Sequence, residues 1–169
     1  MNQTLVFLAL ATPLLCFAAA RDIATRLIPD TVSIAIAAIG LATRLFDGWA
    51  AAGLSLALGA AIFLLLVPVA ARGWLGGGDV KLLSAMAVGL PPVLTWDFVV
   101  ATVFVGGALG VAYILGRHLV PELRSAGGGT LLRRVIAVEA WRMRRRGPLP
   151  YAVAIAGGAV FLLISLPRA

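Results

Sequence analysis

The chain has 169 residues, 62% of them hydrophobic and only 12% charged, with a mean hydropathy of +1.04. A soluble domain of this size is about half apolar and a quarter charged, so that class is excluded and almost all of the chain belongs in or beside lipid. The formal charge of +7 lies between apolar segments, where anionic lipid headgroups and topology explain it better than a nucleic-acid partner, and none is expected.

Taken in chain order, apolar runs predict an all-α polytopic membrane protein. It is one membrane-embedded unit over 1–169, with spans at roughly 4–20, 31–46, 50–71, 80–94, 98–116 and 150–166. The first run could imitate a signal peptide. It has no basic n-region and basic residues follow it, so it reads as a retained span. Cys16 lies inside that run and reads as lipid or core filler, and His118, just beyond the fifth, reads as an interfacial side chain. One cysteine and one histidine cannot build a disulfide framework or a Cys/His zinc site, and no metal or cofactor is expected.

The fourth run is short. "VKLLSAMAVGL" has 11 residues before the double proline, about 17 Å of helix against a hydrocarbon core of about 30 Å. Charge resolves the ambiguity. If all six runs cross, 12 of the 14 basic residues share one side and only Arg44 and Arg168 face the other. The positive-inside rule then makes that side cytoplasmic, with both termini outside a bacterial inner membrane. The long non-spanning stretch 118–149 follows the fifth span. In it, "SAGGGT" reads as a flexible break. "LLRRVIAVEAWRMRRR" reads as an amphipathic helix lying on anionic lipid. "GGALG" at 106–110 reads as close helix packing.

The seven acidic residues then sort themselves. Asp47 and Asp97 fall at the outer face, in loops or near helix starts. Glu122 and Glu139 fall in the basic segment, where arginines can pair with them. Asp22, Asp30 and Asp79 all fall at cytoplasmic span ends. Structural uses exist for each. Asp22 can pair with Arg26 at i, i+4, worth about 0.3–0.5 kcal/mol. Asp30 after Pro29 can cap the second helix, worth about 1 kcal/mol. Asp79 can cap the fourth.

Three glycines ahead of Asp79 exceed the needs of a cap. Gly76, Gly77 and Gly78 open backbone conformations closed to other residues and let a second chain come close. Two carboxylates brought within a few ångströms cannot both ionise cheaply, so they share one proton. The ionised one can take a proton from water while the protonated one donates to a peptide carbonyl, which is hydrolysis with neither metal nor covalent intermediate. Asp22 and Asp79, 57 positions apart and on one side of the membrane, are the candidates.

These residues resemble the signatures of the type IV prepilin peptidases. "RDIATRLIPD" is similar to the family's first motif, an aspartate followed by a short basic segment and Ile-Pro; position 30 holds Asp where Asn is common. "GGGDVKLL" is similar to the GxGD motif, with Lys81 two residues beyond the acid, and "GPLPYAVAIAGG" resembles the approach to the last span. The resemblance implies a membrane aspartic endopeptidase that cuts the short basic leader from prepilins or pseudopilins at the cytoplasmic face. Asp22 and Asp79 are then the catalytic pair, Gly76, Gly77, Gly78 and Lys81 the supporting loop, and Pro29 and Asp30 motif support. The Cys-x-x-Cys pairs of larger, N-methylating members are absent from this sequence. The chain therefore resembles the short, peptidase-only branch of tight-adherence (Flp) pili, with no separate methyltransferase domain expected. Rival readings are a preflagellin-type GxGD peptidase, a small transporter or proton relay, and a non-catalytic assembly factor.

Overall fold

A computed structural model describes residues 3–119, 131–145 and 148–166, and these form helices only. In order they are α1 (Gln3–Thr25), α2 (Asp30–Phe46), α3 (Trp49–Ala71), α4 (Gly77–Gly89), α5 (Pro92–Leu119), α6 (Leu131–Arg144) and α7 (Tyr151–Ser165). The six apolar runs correspond to α1–α5 and α7. α1, α3 and α5 are each long and apolar enough to cross a membrane. Glu122 and the "SAGGGT" break lie outside the described residues.

α4 is the hub. Its 13 residues rise about 20 Å, and everything from Leu82 to Gly89 is buried. The short fourth run needs no lipid-matched length, because protein surrounds it. α2 and α3 lie against it on one side, and α1 and α7 complete the packing. Small residues make this possible: a Cβ on Gly40 of α2 would stand 2.7 Å from the Cα of Gly89, and one on Gly158 of α7 would stand 3.0 Å from the backbone nitrogen of Thr102 in α5. Helices in lipid gain their association from such backbone approach. α4 ends at Gly89, earlier than its apolar run, because Pro92 lacks an N–H and is accommodated at the first position of α5.

The buried stripe of α1 runs Thr4, Phe7, Leu8, Ala11, Leu15, Ala18, Ala19 and then Asp22. That is i, i+3, i+4 spacing, and a carboxylate occupies its last place. On the opposite, lipid-facing sides, α3 and α5 expose Leu54, Leu64, Leu65, Val103, Phe104 and Val111. All four tryptophans are exposed: Trp49 and Trp96 at one end of the bundle, Trp74 and Trp141 at the other. Tryptophan is enriched where helices meet membrane interfaces, and exposed rings at both ends fit that pattern.

The end away from the acids is closed by a polar relay. Arg44, though basic, is buried; its Nε donates to Ser55 Oγ at 3.0 Å, and its Nη1 pairs with Asp47 at 2.5 Å. Ser55 in turn donates to the Leu90 carbonyl at 3.1 Å, satisfying the C-terminal end of α4. Ser55→Ala leaves the Arg44 Nε without its acceptor, which costs about 1–3 kcal/mol. Thermal unfolding in detergent checks this, and an unchanged midpoint would discard the relay as a stabilising element.

α6 forms where the basic amphipathic segment was expected, and its apolar residues divide between two faces. Ala137 and Ala140 are buried, and Met143 packs on Gly116 of α5, while Ile136, Val138 and Trp141 point outward. The helix thus has a small-residue face for protein and a larger apolar face that no described residue covers.

Candidate active site

The GGGD segment places a carboxylate by capping geometry. Gly76 is the N-cap of α4, extended at φ −69° and ψ 140°, so Asp79 stands at the third helical position and is not the cap itself. From there its carboxylate accepts a hydrogen bond from the Gly76 N–H, as the acidic member of a capping box does. The glycines differ in what they permit. A Cβ on Gly76 would lie 2.6 Å from Asp79 Oδ2, and one on Gly78 would lie 3.0 Å from the Cβ of Ile28; around Gly77 nothing lies within 4 Å. Only Gly48 and Gly73 adopt positive φ among the described glycines. Close approach, and not unusual backbone conformation, is therefore why glycine stands at 76 and 78. Asp79 is buried, and its Oδ1 has no hydrogen-bond partner.

Asp22 arrives from the other direction, on the last turn of α1. It is buried, and Oδ2 accepts the Ala152 N–H at 3.3 Å. Ala152 is in the first turn of α7, directly after the buried Pro150. Burial pushes the Asp22 carboxyl up toward its neutral form, and the Ala152 N–H at the helix N-terminus offsets part of that by favouring the ionised one. The Asp22–Arg26 ion pair that the i, i+4 spacing allows is not formed. Arg26 adopts φ 58°, and its N–H closes α1 on the Asp22 carbonyl at 2.9 Å. The left-handed turn carries its guanidinium away to Glu139 on α6.

α1, α4 and α7 so bring Asp22 and Asp79 to one end of the bundle. Asp79 stands at the mouth of α4, ahead of the apolar run. Burial, and after it the nearby charge of Asp22, push it up to about 7. That coupling is what a proton-sharing pair requires. Tyr151, next to Ala152, lies within the field of Asp79, and its ring packs on Gly106. The 106–110 glycines thus serve close packing at Gly106, while Gly107 has no neighbour within 4 Å.

The second half of each motif meets at the surface. Pro29, at φ −64° and ψ 133°, is the N-cap of α2; Asp30 is its first residue and makes no cap. Proline leaves no N–H to satisfy there, and the freed Asp30 carboxylate accepts Lys81 Nζ at 2.7 Å. The pair is well exposed, worth at most about 1 kcal/mol. It still ties the Ile28–Pro29–Asp30 corner to the glycine loop, as does Ile28 against Gly78.

Three elements of this end were not foreseen: the Ala152 N–H, Tyr151, and the Arg26–Glu139–Arg142 group with Tyr113. The double proline of "GPLPY" signals a helix start, but nothing in the sequence says where that start points. Glu139 pairs with arginines as expected, one of them from α1.

A family model described as the type IV leader peptidase family matches residues 9–115, which include both acids, the Ile-Pro corner and the glycine loop. The chain belongs to the type IV leader peptidase family. It is also similar to the prepilin leader peptidase/N-methyltransferase of Bacillus subtilis (strain 168), at 31% identity over 150 residues. That match covers 87% of this chain and 50% of the relative, so the chain spans about half the length of the curated relative it matches. No solved structure matches. The leader peptidase match ends within α5, so the Ala152 and Glu139 contacts come from helices beyond it.

Proposed function

We propose that this protein is a membrane-embedded aspartic endopeptidase that removes the short basic leader from a prepilin or pseudopilin at the cytoplasmic face. The observation that carries the reading is two buried carboxylates, Asp22 and Asp79, electrostatically coupled at one end of the bundle. Asp22, held by a helix N-terminus, is the base; Asp79, raised to about 7, is the acid. Water attacks the scissile carbonyl carbon as Asp22 takes its proton and Asp79 protonates the carbonyl oxygen. The tetrahedral diol then collapses: Asp22 gives its proton to the departing nitrogen, and Asp79 regains one from a diol hydroxyl. The C–N bond breaks, one water is consumed, and the pair returns to a single proton. Family membership and the name of the Bacillus relative support the substrate class.

The purified protein in lipid, incubated with a tight-adherence prepilin, is expected to release the leader at one bond, read by mass spectrometry. Intact substrate after prolonged incubation would reject the reading. EDTA is expected to leave the rate unchanged, since both proton transfers use carboxylates; inhibition reversed by added metal would refute the acid–base scheme.

The same reading sets the topology. All six apolar helices cross, the acids face the cytoplasm, and α6 lies along the anionic leaflet with Trp141, stacked under Arg145 at 5.0 Å, toward the headgroups. A cysteine introduced at Ser125 is expected to react with impermeant reagent only in inverted vesicles. Reaction in intact cells would reverse the orientation.

A further inference from the structure

We propose that Arg26, clamped between α1 and α6, is a positioning residue whose charge holds the Asp22–Asp79 pair at a single shared proton. The inference rests on the pair described above and not on the identity of any substrate.

Arg26 Nη2 and the Tyr113 hydroxyl both donate to Glu139 Oε1, while Arg142 Nη1 donates to Glu139 Oε2 at 3.2 Å and to the Ile23 carbonyl at 2.7 Å. The Arg26, Glu139 and Arg142 side chains are only 15%, 13% and 18% exposed. Two cations thus share one anion, and the group carries one positive charge in excess. A carboxyl pair with one proton carries one negative charge, so the two groups complement each other. In a site of low dielectric such a complement is strong.

Two features show that Arg26 is not simply ion-pair ballast for α6. Its backbone is left-handed at φ 58°, a conformation that non-glycine residues seldom adopt and that is retained where the surroundings impose it. Its Nε and Nη1 are buried with no hydrogen-bond partner, so most of the guanidinium is not spent on protein acceptors. Its backbone N–H sits on the Asp22 carbonyl at 2.9 Å, one helical turn from that carboxylate, and from there its charge acts on both Asp22 and Asp79.

The other charged and titratable groups around the pair come from every neighbouring element. They are Tyr113 on α5, Glu139 and Arg142 on α6, Tyr151 on α7, and the exposed Lys81–Asp30 bridge between α4 and α2. Arg21 on α1 is exposed to solvent, where its field is screened. Arg26 is the cation acting on both acids. Glu139 opposes it.

This predicts shifts of opposite sign. Arg26→Gln removes a positive charge, so both apparent pKa values of the pair rise, by about one pH unit for a single charge beside a partly dry site. Glu139→Gln removes the opposing negative charge that acts on Asp22, so the pair's titration moves down. Arg26→Lys keeps the charge and leaves the values within a few tenths. The measurement is an infrared titration of the carboxyl stretch in the purified protein in lipid, assigned by difference against Asp79→Asn; it needs no substrate. A structural clamp would instead give no displacement, or displacement in one direction for both Arg26→Gln and Glu139→Gln, and either result overturns the proposal. Opposite displacements in a protein that cleaves no prepilin would uphold this inference and remove the peptidase reading. Cleavage with an unmoved titration would do the reverse.

Discussion

Asp79→Asn and Asp22→Asn are each expected to lower leader cleavage by roughly 10²–10⁴-fold, the span that one general acid or base supplies, without loss of the folded protein. Asparagine has the shape of the carboxyl group and none of its proton chemistry. Asp22→Asn keeps an oxygen for the Ala152 N–H, and Asp79→Asn keeps one for the Gly76 N–H. Neither removes packing. Asp79→Asn also takes an ionisable group out of a buried place, so its unfolding temperature at pH 8 is expected to match or exceed that of the wild type; catalytic groups commonly trade stability for function. Because the acids act as a unit, the double variant is expected to lose little more than either single one. Losses that multiply would mean two independent roles. With Asp79 holding its proton up to about 7, the protonated acid is depleted as pH rises through that value, and cleavage declines on the alkaline side. Activity undiminished two units above 7 would dismiss Asp79 as the donor.

Gly76→Ala and Gly78→Ala are expected to reduce cleavage by about 10²-fold, while Gly77→Ala leaves it within about twofold; displacing a reacting group by an ångström carries a penalty of the first size. At 76 the new Cβ would meet Asp79 Oδ2 at 2.6 Å, so the carboxylate must swing off its cap and out of line with Asp22. At 78 it would press on Ile28 at the branched Cβ, 3.0 Å away. That atom cannot rotate aside, and the strain passes into the Pro29 corner and the start of α4. Overpacking of this kind costs about 1–3 kcal/mol. At 77 there is open space, and alanine begins a helix at least as well as glycine. Kinetics and melting of the three variants separate the effects. Equal damage at 77 and 78 would show that the loop needs backbone freedom and not room.

The apolar runs that form the helices and the two acids with their glycines were readable from residue order, because each is a local property. Hydropathy needs only a window of neighbours, and the α1 stripe ending in Asp22 needs only helical periodicity. The capping uses open to Asp30 and Asp79 are not taken up as N-caps. Asp30 and Asp79 are cap-type residues, but whether a side chain caps depends on the turn before it, and Pro29 and Gly76 took those places. The pairing of Arg26 failed for a related reason. An i, i+4 rule assumes continuing helix, and φ 58° at Arg26 ends the helix there.

Chain order alone therefore determined that this is an all-helical membrane protein with two carboxylates at span ends on one side. Tertiary structure decided that α4 is buried by its neighbours, that α7 points its N-terminus at Asp22, and that α6 brings Glu139 and Arg142 to Arg26. The division has a physical cause. Hydropathy and helical period act over a few turns, whereas these contacts join residues more than a hundred positions apart, and only helix packing selects which ends meet.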